Sequence, residues 1–190
     1  MLSFSATNNF EMTVDIENLI GKAIWYNLDR ESQDFLIGIS VFNSFTLRQC
    51  IYISGGAISE EKIEKLLNTS GFIRYDAKEG KYFMHSILKY FLQNEFEKME
   101  VIFRKEIIKK AGNWYRDNEQ YADAIEFYYK NRDYEAILSM NFKADVLHEI
   151  HLDRSNKDMF MDITTNTPQS LKKKYLRTYI LFVYFLFLDN

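Results

Sequence analysis

Apolar residues recur every three or four positions between Thr13 and Gly71, which is the spacing of helices with one buried face. Polar residues suited to helix N-termini interrupt this pattern and divide it into four predicted helices. The predicted N-caps of the second, third and fourth helices are Asp29, Thr46 and Ser59. The second helix has an inner face formed by Phe35, Leu36, Ile39 and Phe42.

After Gly71 the period changes from that of a helix to that of a strand. The runs "FIRYD" and "KYFMH" are short and rich in aromatic and β-branched residues, and "AKEG" connects them, which predicts a β-hairpin. Ser86 is then placed to cap a helix. Its predicted inner face consists of Ile87, Leu88, Phe91, Leu92 and Phe96. Helices followed by a hairpin wing are typical of a winged helix.

From Val101 onward the pattern is helical again. The breaks "DNEQ" and "NRD" divide this region into short helices whose small and large residues alternate as in tetratricopeptide-type hairpins. Pro168 is placed at the first turn of the last helix, with Thr167 as its predicted N-cap. The sequence therefore predicts a mainly α fold: a winged helix with one small β-hairpin, followed by tetratricopeptide-like helical repeats. The predicted domains are a flexible arm over 1–12, a winged helix over 13–99 and a helical-repeat region over 100–190.

Composition narrows the class of protein. The chain is 47% hydrophobic and 27% charged, which is a globular profile, and its net charge of -3 does not favour nucleic-acid binding by bulk electrostatics. The single cysteine, Cys50, cannot form an internal disulfide. No export signal begins the chain, and the apolar run "YILFVYFLFL" is shorter than the ~20 residues of a spanning helix. We therefore expect a cytoplasmic protein without a membrane partner.

Catalytic and metal-binding patterns are missing from the sequence. There is no G-x-x-x-x-G-K-[ST] motif that would cradle a nucleotide triphosphate. The pair His148 and His151 is spaced differently from H-E-x-x-H, and surface histidines explain it better than a zinc site. The prediction is a protein that is not an enzyme, has no catalytic residues and no metal site, and binds no cofactor alone.

Direct DNA binding is one alternative function. The helix that would enter the major groove carries Glu60, Glu61 and Glu64, which repel phosphates, although Arg74 and other wing residues are basic. An autonomous winged-helix DNA-binding protein therefore stays open but is disfavoured. A helical-repeat adaptor that binds other proteins is a second alternative.

The order of the pieces resembles one known family. "DFLIGISVFNSFT", then "KYFMHSILKYFL", then "AGNWYRDNEQYADAIEFYYKNRDYEAI" is similar to the MalT-type LuxR-family transcriptional regulators, which belong to the STAND class of signal-transducing NTPases. The resemblance implies an upstream ATPase module that binds ATP or ADP, and downstream helical repeats that sense an inducer. It also implies that DNA is bound only by a further C-terminal domain. This chain would then be the regulatory, signal-relaying segment of a multidomain bacterial regulator.

His85 is the residue for which the resemblance matters most. Related STAND proteins carry a Met-His-Asp motif whose histidine contacts a phosphate of bound ADP; Met84 and His85 match its first two positions, and Ser86 replaces the acidic third. The resemblance thus implies that His85, with Ser86 beside it, contacts ADP held mainly by the ATPase module. A helix N-terminus at this point would favour an anion. The alternative is a partly buried histidine that only satisfies a backbone carbonyl.

The last helix, "TPQSLKKKYLRTYILFVYFLF", is apolar on more than one side. The resemblance makes it the first helix of a truncated repeat array. We therefore expect a chain cut from a longer one, whose end helix pairs with a neighbour or self-associates.

Overall fold

The computed structural model describes most of the chain, which divides into two compact units, Met1–Arg104 and Lys105–Asn190. The described residues are 20–22, 24–69, 71–140, 142–152 and 156–187. The predicted arm and most of the predicted first helix lie outside them. Over these residues the protein is mainly helical with one two-stranded hairpin, which confirms the predicted fold class.

Where the structure describes the first unit from Trp25 onward, it contains a short 3-10 turn, four complete helices and the hairpin. After the turn at Trp25–Asn27 come α1 (Arg30–Ser40), α2 (Leu47–Ser54), α3 (Glu60–Thr69) and, beyond the hairpin, α4 (Ser86–Lys98).

The predicted caps of these helices are present. The Asp29 carboxylate accepts a hydrogen bond from the backbone N–H of Ser32 (2.9 Å), and Thr46 forms a capping box with Gln49. The Ser59 hydroxyl accepts from the backbone N–H of Lys62.

The core of the first unit lies between α1, α2, α3 and α4. The predicted inner face of α1 is confirmed, because its apolar side chains are at most 4% exposed. Trp25 packs edge-on against Phe91, with ring centroids 5.4 Å apart. The buried apolar residues at the centre are Phe35, Leu36, Ile39, Phe42, Phe45, Cys50, Ile63, Leu67, Leu88 and Leu92.

The wing is an antiparallel hairpin of β1 (Ile73–Asp76) and β2 (Lys81–Met84). Its turn ends at Gly80, whose φ of 66° is a left-handed conformation that suits glycine. One feature of the wing was absent from the sequence prediction. Phe45, in the connection between α1 and α2, exchanges two backbone hydrogen bonds with Tyr82 and so adds a third, one-residue strand to β2.

The second unit is a succession of short helices. The unit boundary falls inside the long helix α5, and the breaks predicted at "DNEQ" and "NRD" are confirmed. The tetratricopeptide-like character of the helices stays a prediction. The helices are α5 (Val101–Asp117), α6 (Tyr121–Lys130), α7 (Tyr134–Ser139), α8 (Ala144–Leu152), α9 (Lys157–Asn166), α10 (Gln169–Lys174) and α11 (Leu176–Phe187).

The prediction for the last helix was wrong in two respects. Thr167 does not cap it: Thr167 ends α9, and its hydroxyl donates back to the Ile163 carbonyl at 2.6 Å. The segment after Pro168 is also two helices, because the backbone breaks at Tyr175 (φ -116°, ψ 42°).

Aromatic rings fill the core of the second unit. Tyr128, Phe160 and Phe182 are at most 1% exposed. Tyr128 lies against the backbone of Gly112, and its hydroxyl donates to Asn113 Oδ1 at 2.7 Å. A side chain at position 112 would therefore collide with the Tyr128 ring.

Candidate functional site

His85 lies at the corner where the wing returns to the helices. It follows β2 and directly precedes α4, and its side chain is exposed. Its backbone N–H donates to the Phe72 carbonyl (2.7 Å), and its own carbonyl accepts from the Lys89 N–H (3.0 Å). The imidazole packs edge-on against the Phe72 ring, with centroids 6.2 Å apart. The backbone and one aromatic neighbour therefore hold the ring at the surface.

The N-cap of α4 is His85, so the prediction of Ser86 as the cap was wrong. His85 Nδ1 accepts a hydrogen bond from the backbone N–H of Ile87 at 3.3 Å, while Ser86 is exposed and is the first helical residue. An N-cap residue has extended backbone angles, and here His85 has them (φ -61°, ψ 139°). The helix therefore begins at Ser86, one residue earlier than it would if Ser86 were the cap. Ser86 remains next to the imidazole on the first turn of the helix.

The cap determines which imidazole nitrogen carries a hydrogen. Because Nδ1 accepts from the Ile87 N–H, a neutral His85 has its hydrogen on Nε2, which makes Nε2 a hydrogen-bond donor. The positive end of the α4 dipole lies at the same place. Lys89 follows one turn later, with its ammonium donating to Asn43 Oδ1 at 2.7 Å. Such a corner suits an anionic group.

A cleft of about 560 Å³ opens in the first unit beside this corner. Its floor is apolar and includes Leu36 and Leu66, and its rim carries Asp29 and Lys62. Phe72 lines the cleft and also contacts the His85 ring, so its side chain lies between the cleft and His85. Sequence analysis did not identify Phe72. The hairpin register could have identified it, because Ile73 pairs with Met84 and Phe72 therefore lies opposite His85.

The cleft rim is held by an ion pair. Lys62 Nζ lies 2.7 Å from Asp29 Oδ2 and 3.8 Å from the Glu31 carboxylate. The hydrogen bond from Lys62 and those from Ser32 lower the pKa of the Asp29 carboxyl well below its usual range. The cap of α1 is thereby linked to α3 through one lysine.

The surface that would face DNA in a winged helix is acidic. Glu60, Glu61 and Glu64 of α3 are all exposed. On the wing, Arg74 lies over the Phe83 ring (5.8 Å) and 3.9 Å from the Asp76 carboxylate, which offsets part of its charge. This arrangement opposes close approach of phosphates to α3.

The sequence analysis interpreted His148 and His151 as surface histidines, and the structure describes the side chain of the first. His148 is exposed on α8 and lies beside the Phe185 ring, with centroids 6.0 Å apart; the side chain of His151 lies outside the described residues. Within the described parts of the chain, no three His, Cys, Asp or Glu side chains meet as a metal-binding group. Across the same residues, no helix has both the length and the apolar character to cross a membrane.

Comparison with known protein families places part of the first unit beside one of them. Residues 22–101, which run from before the first turn to the start of α5, match the family model described as the MalT winged helix domain. None of the curated proteins and none of the solved structures that were compared matches the chain. The matched range contains α1, α2, α3, the wing, His85 and α4, and it supports a MalT-like protein.

Proposed function

We propose that this chain is the regulatory, signal-relaying segment of a multidomain, ATP-dependent transcription regulator of the MalT type. The winged helix closes on a nucleotide held by an ATPase module of the same protein. The helices of Lys105–Asn190 begin an array that senses an inducer. DNA is bound by a different domain, and the protein acts in the cytoplasm.

One observation carries the proposal: the match to the MalT winged helix domain covers an exposed histidine at a helix N-terminus. The capped Nδ1 leaves Nε2–H as the donor for a phosphate oxygen, and the α4 dipole favours the negative charge. The acidic surface of α3 supports a regulatory role over direct DNA reading.

The site would act as a switch by differential binding. A nucleotide that receives the His85 hydrogen bond only in the closed arrangement shifts the population toward that arrangement. An inducer bound by the repeats favours the open arrangement, and the two ligands then oppose each other through a shared equilibrium. The winged helix contributes binding energy and no chemical step.

The test is ADP affinity of the full-length protein, measured by calorimetry with His85→Ala and the matched control His148→Ala. Both histidines are exposed, but only His85 caps a helix at the wing corner. One lost hydrogen bond to a charged phosphate is worth ~1.5–3 kcal/mol, so we expect affinity to fall roughly 10- to 100-fold in His85→Ala. We expect no change in His148→Ala.

Three results would contradict the proposal. The first is unchanged ADP affinity in His85→Ala full-length protein. The second is tight ATP binding or hydrolysis by the 190-residue chain alone. The third is salt-sensitive, sequence-specific binding of duplex DNA by that chain, which would establish the autonomous DNA-binding alternative.

A further inference from the structure

A gap remains in the packing of the first unit, and it forms the cleft of about 560 Å³ beside the wing corner. Three segments of the chain meet there without closing over it. The half-buried apolar side chains around the cleft are Ile24 and Leu28 at the 3-10 turn, Leu66 on α3 and Phe72 before β1. A mostly apolar cleft of roughly 300–1,000 Å³ is the usual kind of site for a small molecule.

Helix α3 supplies the charged edge of the cleft. Lys62 and Lys65 both line it, and their spacing of three residues places them on one face of the helix. Lys65 is exposed, whereas its neighbour Leu66 is half-buried and contributes to the floor. One edge of the cleft therefore joins ammonium groups directly to an apolar surface.

The acidic group at the cleft is already engaged. The Asp29 carboxylate accepts hydrogen bonds from Lys62 Nζ (2.7 Å) and from the backbone N–H and the side chain of Ser32. The Glu31 carboxylate also lies 3.8 Å from Lys62 Nζ. The charge of Lys62 is thus offset by its own neighbours, and Lys65 decides which charge a ligand meets. Among the described lining residues, a cationic ligand finds only the hydrogen-bonded Asp29, so the cleft favours a ligand that carries a carboxylate.

We propose that the cleft is a site for a small amphipathic carboxylate, whose apolar body lies on Leu36 and Leu66 and whose carboxylate lies beside the Lys65 ammonium. The floor removes apolar surface of the ligand from water, and the lysine determines its orientation. Because the Phe72 ring borders the cleft and contacts the His85 ring, the bound ligand lies one side chain away from the wing corner. The site is a separate one, and it does not depend on the nucleotide contact proposed for His85.

The first test titrates the 190-residue chain with 4-phenylbutyrate and, separately, with 4-phenyl-1-butanol, and follows the backbone amides by NMR. The two probes share an apolar body, and only the first is charged at neutral pH. We expect the carboxylate to bind with a dissociation constant of about 1 mM or tighter. The alcohol should bind at least about threefold more weakly. The amides that respond should be those of Leu28, Leu36, Leu66 and Phe72, with no comparable shift within Lys105–Asn190.

The second test changes the charge at the cleft edge. Lys65→Glu reverses it, and Lys78→Glu is the matched control, because Lys78 is exposed in the wing turn and does not line the cleft. Both substitutions change the net charge by the same amount. We expect 4-phenylbutyrate to bind Lys65→Glu at least about fivefold more weakly than wild type, and Lys78→Glu within about twofold of it. Affinity for the alcohol should stay within about twofold in all three proteins. Far-UV circular dichroism checks that the three are equally helical.

The proposal is wrong if the cleft amides do not respond to 4-phenylbutyrate, or if the alcohol binds as tightly as the carboxylate. It is also wrong if Lys65→Glu and Lys78→Glu weaken binding equally, because net charge then explains the effect. Titration of the full-length protein is the last check. Binding by the 190-residue chain but not by the full-length protein would show that another part of the protein covers the cleft, which would then be a contact surface and not a ligand site.

Discussion

The cap that His85 forms on α4 and the phosphate contact that we propose for it predict opposite responses to two substitutions. His85→Ala removes both the cap acceptor and the Nε2 donor. His85→Asp keeps a cap acceptor and brings a carboxylate that repels phosphate. Both variants lose the edge contact with Phe72, so comparing them with each other cancels that loss.

The expected difference in stability between the two variants follows from the geometry of the cap. Replacing an N-cap by alanine costs ~0.5–2 kcal/mol. The bond from the Ile87 N–H to Nδ1 is long at 3.3 Å and lies on an exposed side chain, so the lower end, ~0.5 kcal/mol, applies to His85→Ala. An aspartate cap interacts favourably with the α4 dipole by a further ~0.3–1 kcal/mol. We expect His85→Asp to be more stable than His85→Ala by ~0.8–1.5 kcal/mol.

The assay is urea unfolding of the 190-residue chain followed by far-UV circular dichroism, with amide exchange at Ile87 as a local probe. The Ile87 amide should exchange fastest in His85→Ala. In the full-length protein the order of ADP affinity should be wild type, then alanine, then aspartate, so stability and affinity diverge. If the Ile87 amide exchanges no faster in His85→Ala than in wild type, the imidazole does not cap α4 and the inferred tautomer is wrong.

Two further predictions concern packing and pH. In Gly112→Ala, the new Cβ lies 2.8 Å from Tyr128 Cε1. Overpacking of ~1–3 kcal/mol then outweighs the ~1 kcal/mol helix gain of alanine. In a Tyr128→Ala background, Gly112→Ala should stabilise the protein instead. Urea denaturation of wild type, the two single variants and the double variant measures the effect of Gly112→Ala in each background. The folded-state pKa of the Asp29 carboxyl is lowered, chiefly by the hydrogen bond from Lys62. The ionised carboxylate therefore stabilises the folded protein fully above the ordinary carboxyl pKa of ~4, and this stabilisation is lost as the pH falls from there through the lowered value. The stability difference between wild type and Asp29→Ala should therefore shrink between pH 7 and pH 2, and a constant difference would contradict this.

Local signals in the sequence predicted much of the first unit. Asp29 and Thr46 cap their helices through bonds that reach only three residues along the chain, so the sequence itself shows them. The hairpin was also predictable, because its strands are adjacent in sequence and a glycine ends the turn.

The sequence was misleading where two residues compete for one position or where the partner is distant. Ser86 is a better cap by type than His85, but the backbone bond from His85 to Phe72 fixes the last extended residue of the wing at position 85. Thr167 looks like a cap, but its hydroxyl bonds back to the carbonyl of Ile163. The strand residue Phe45 could not be predicted, because one residue has no period and its partner, Tyr82, is far along the chain.

The pairing of Phe45 with Tyr82 has a mechanical consequence for the wing. A hairpin joined to its domain at one end bends when its base is pushed. Here Tyr82 of β2 is also bonded to Phe45 in the α1–α2 connection, while the backbone bond from His85 to Phe72 joins the two strand ends at the base of the hairpin. Because β2 is attached to its domain at this additional point, we expect a force applied at residue 85 to move the hairpin together with the helices, with little bending of the strands.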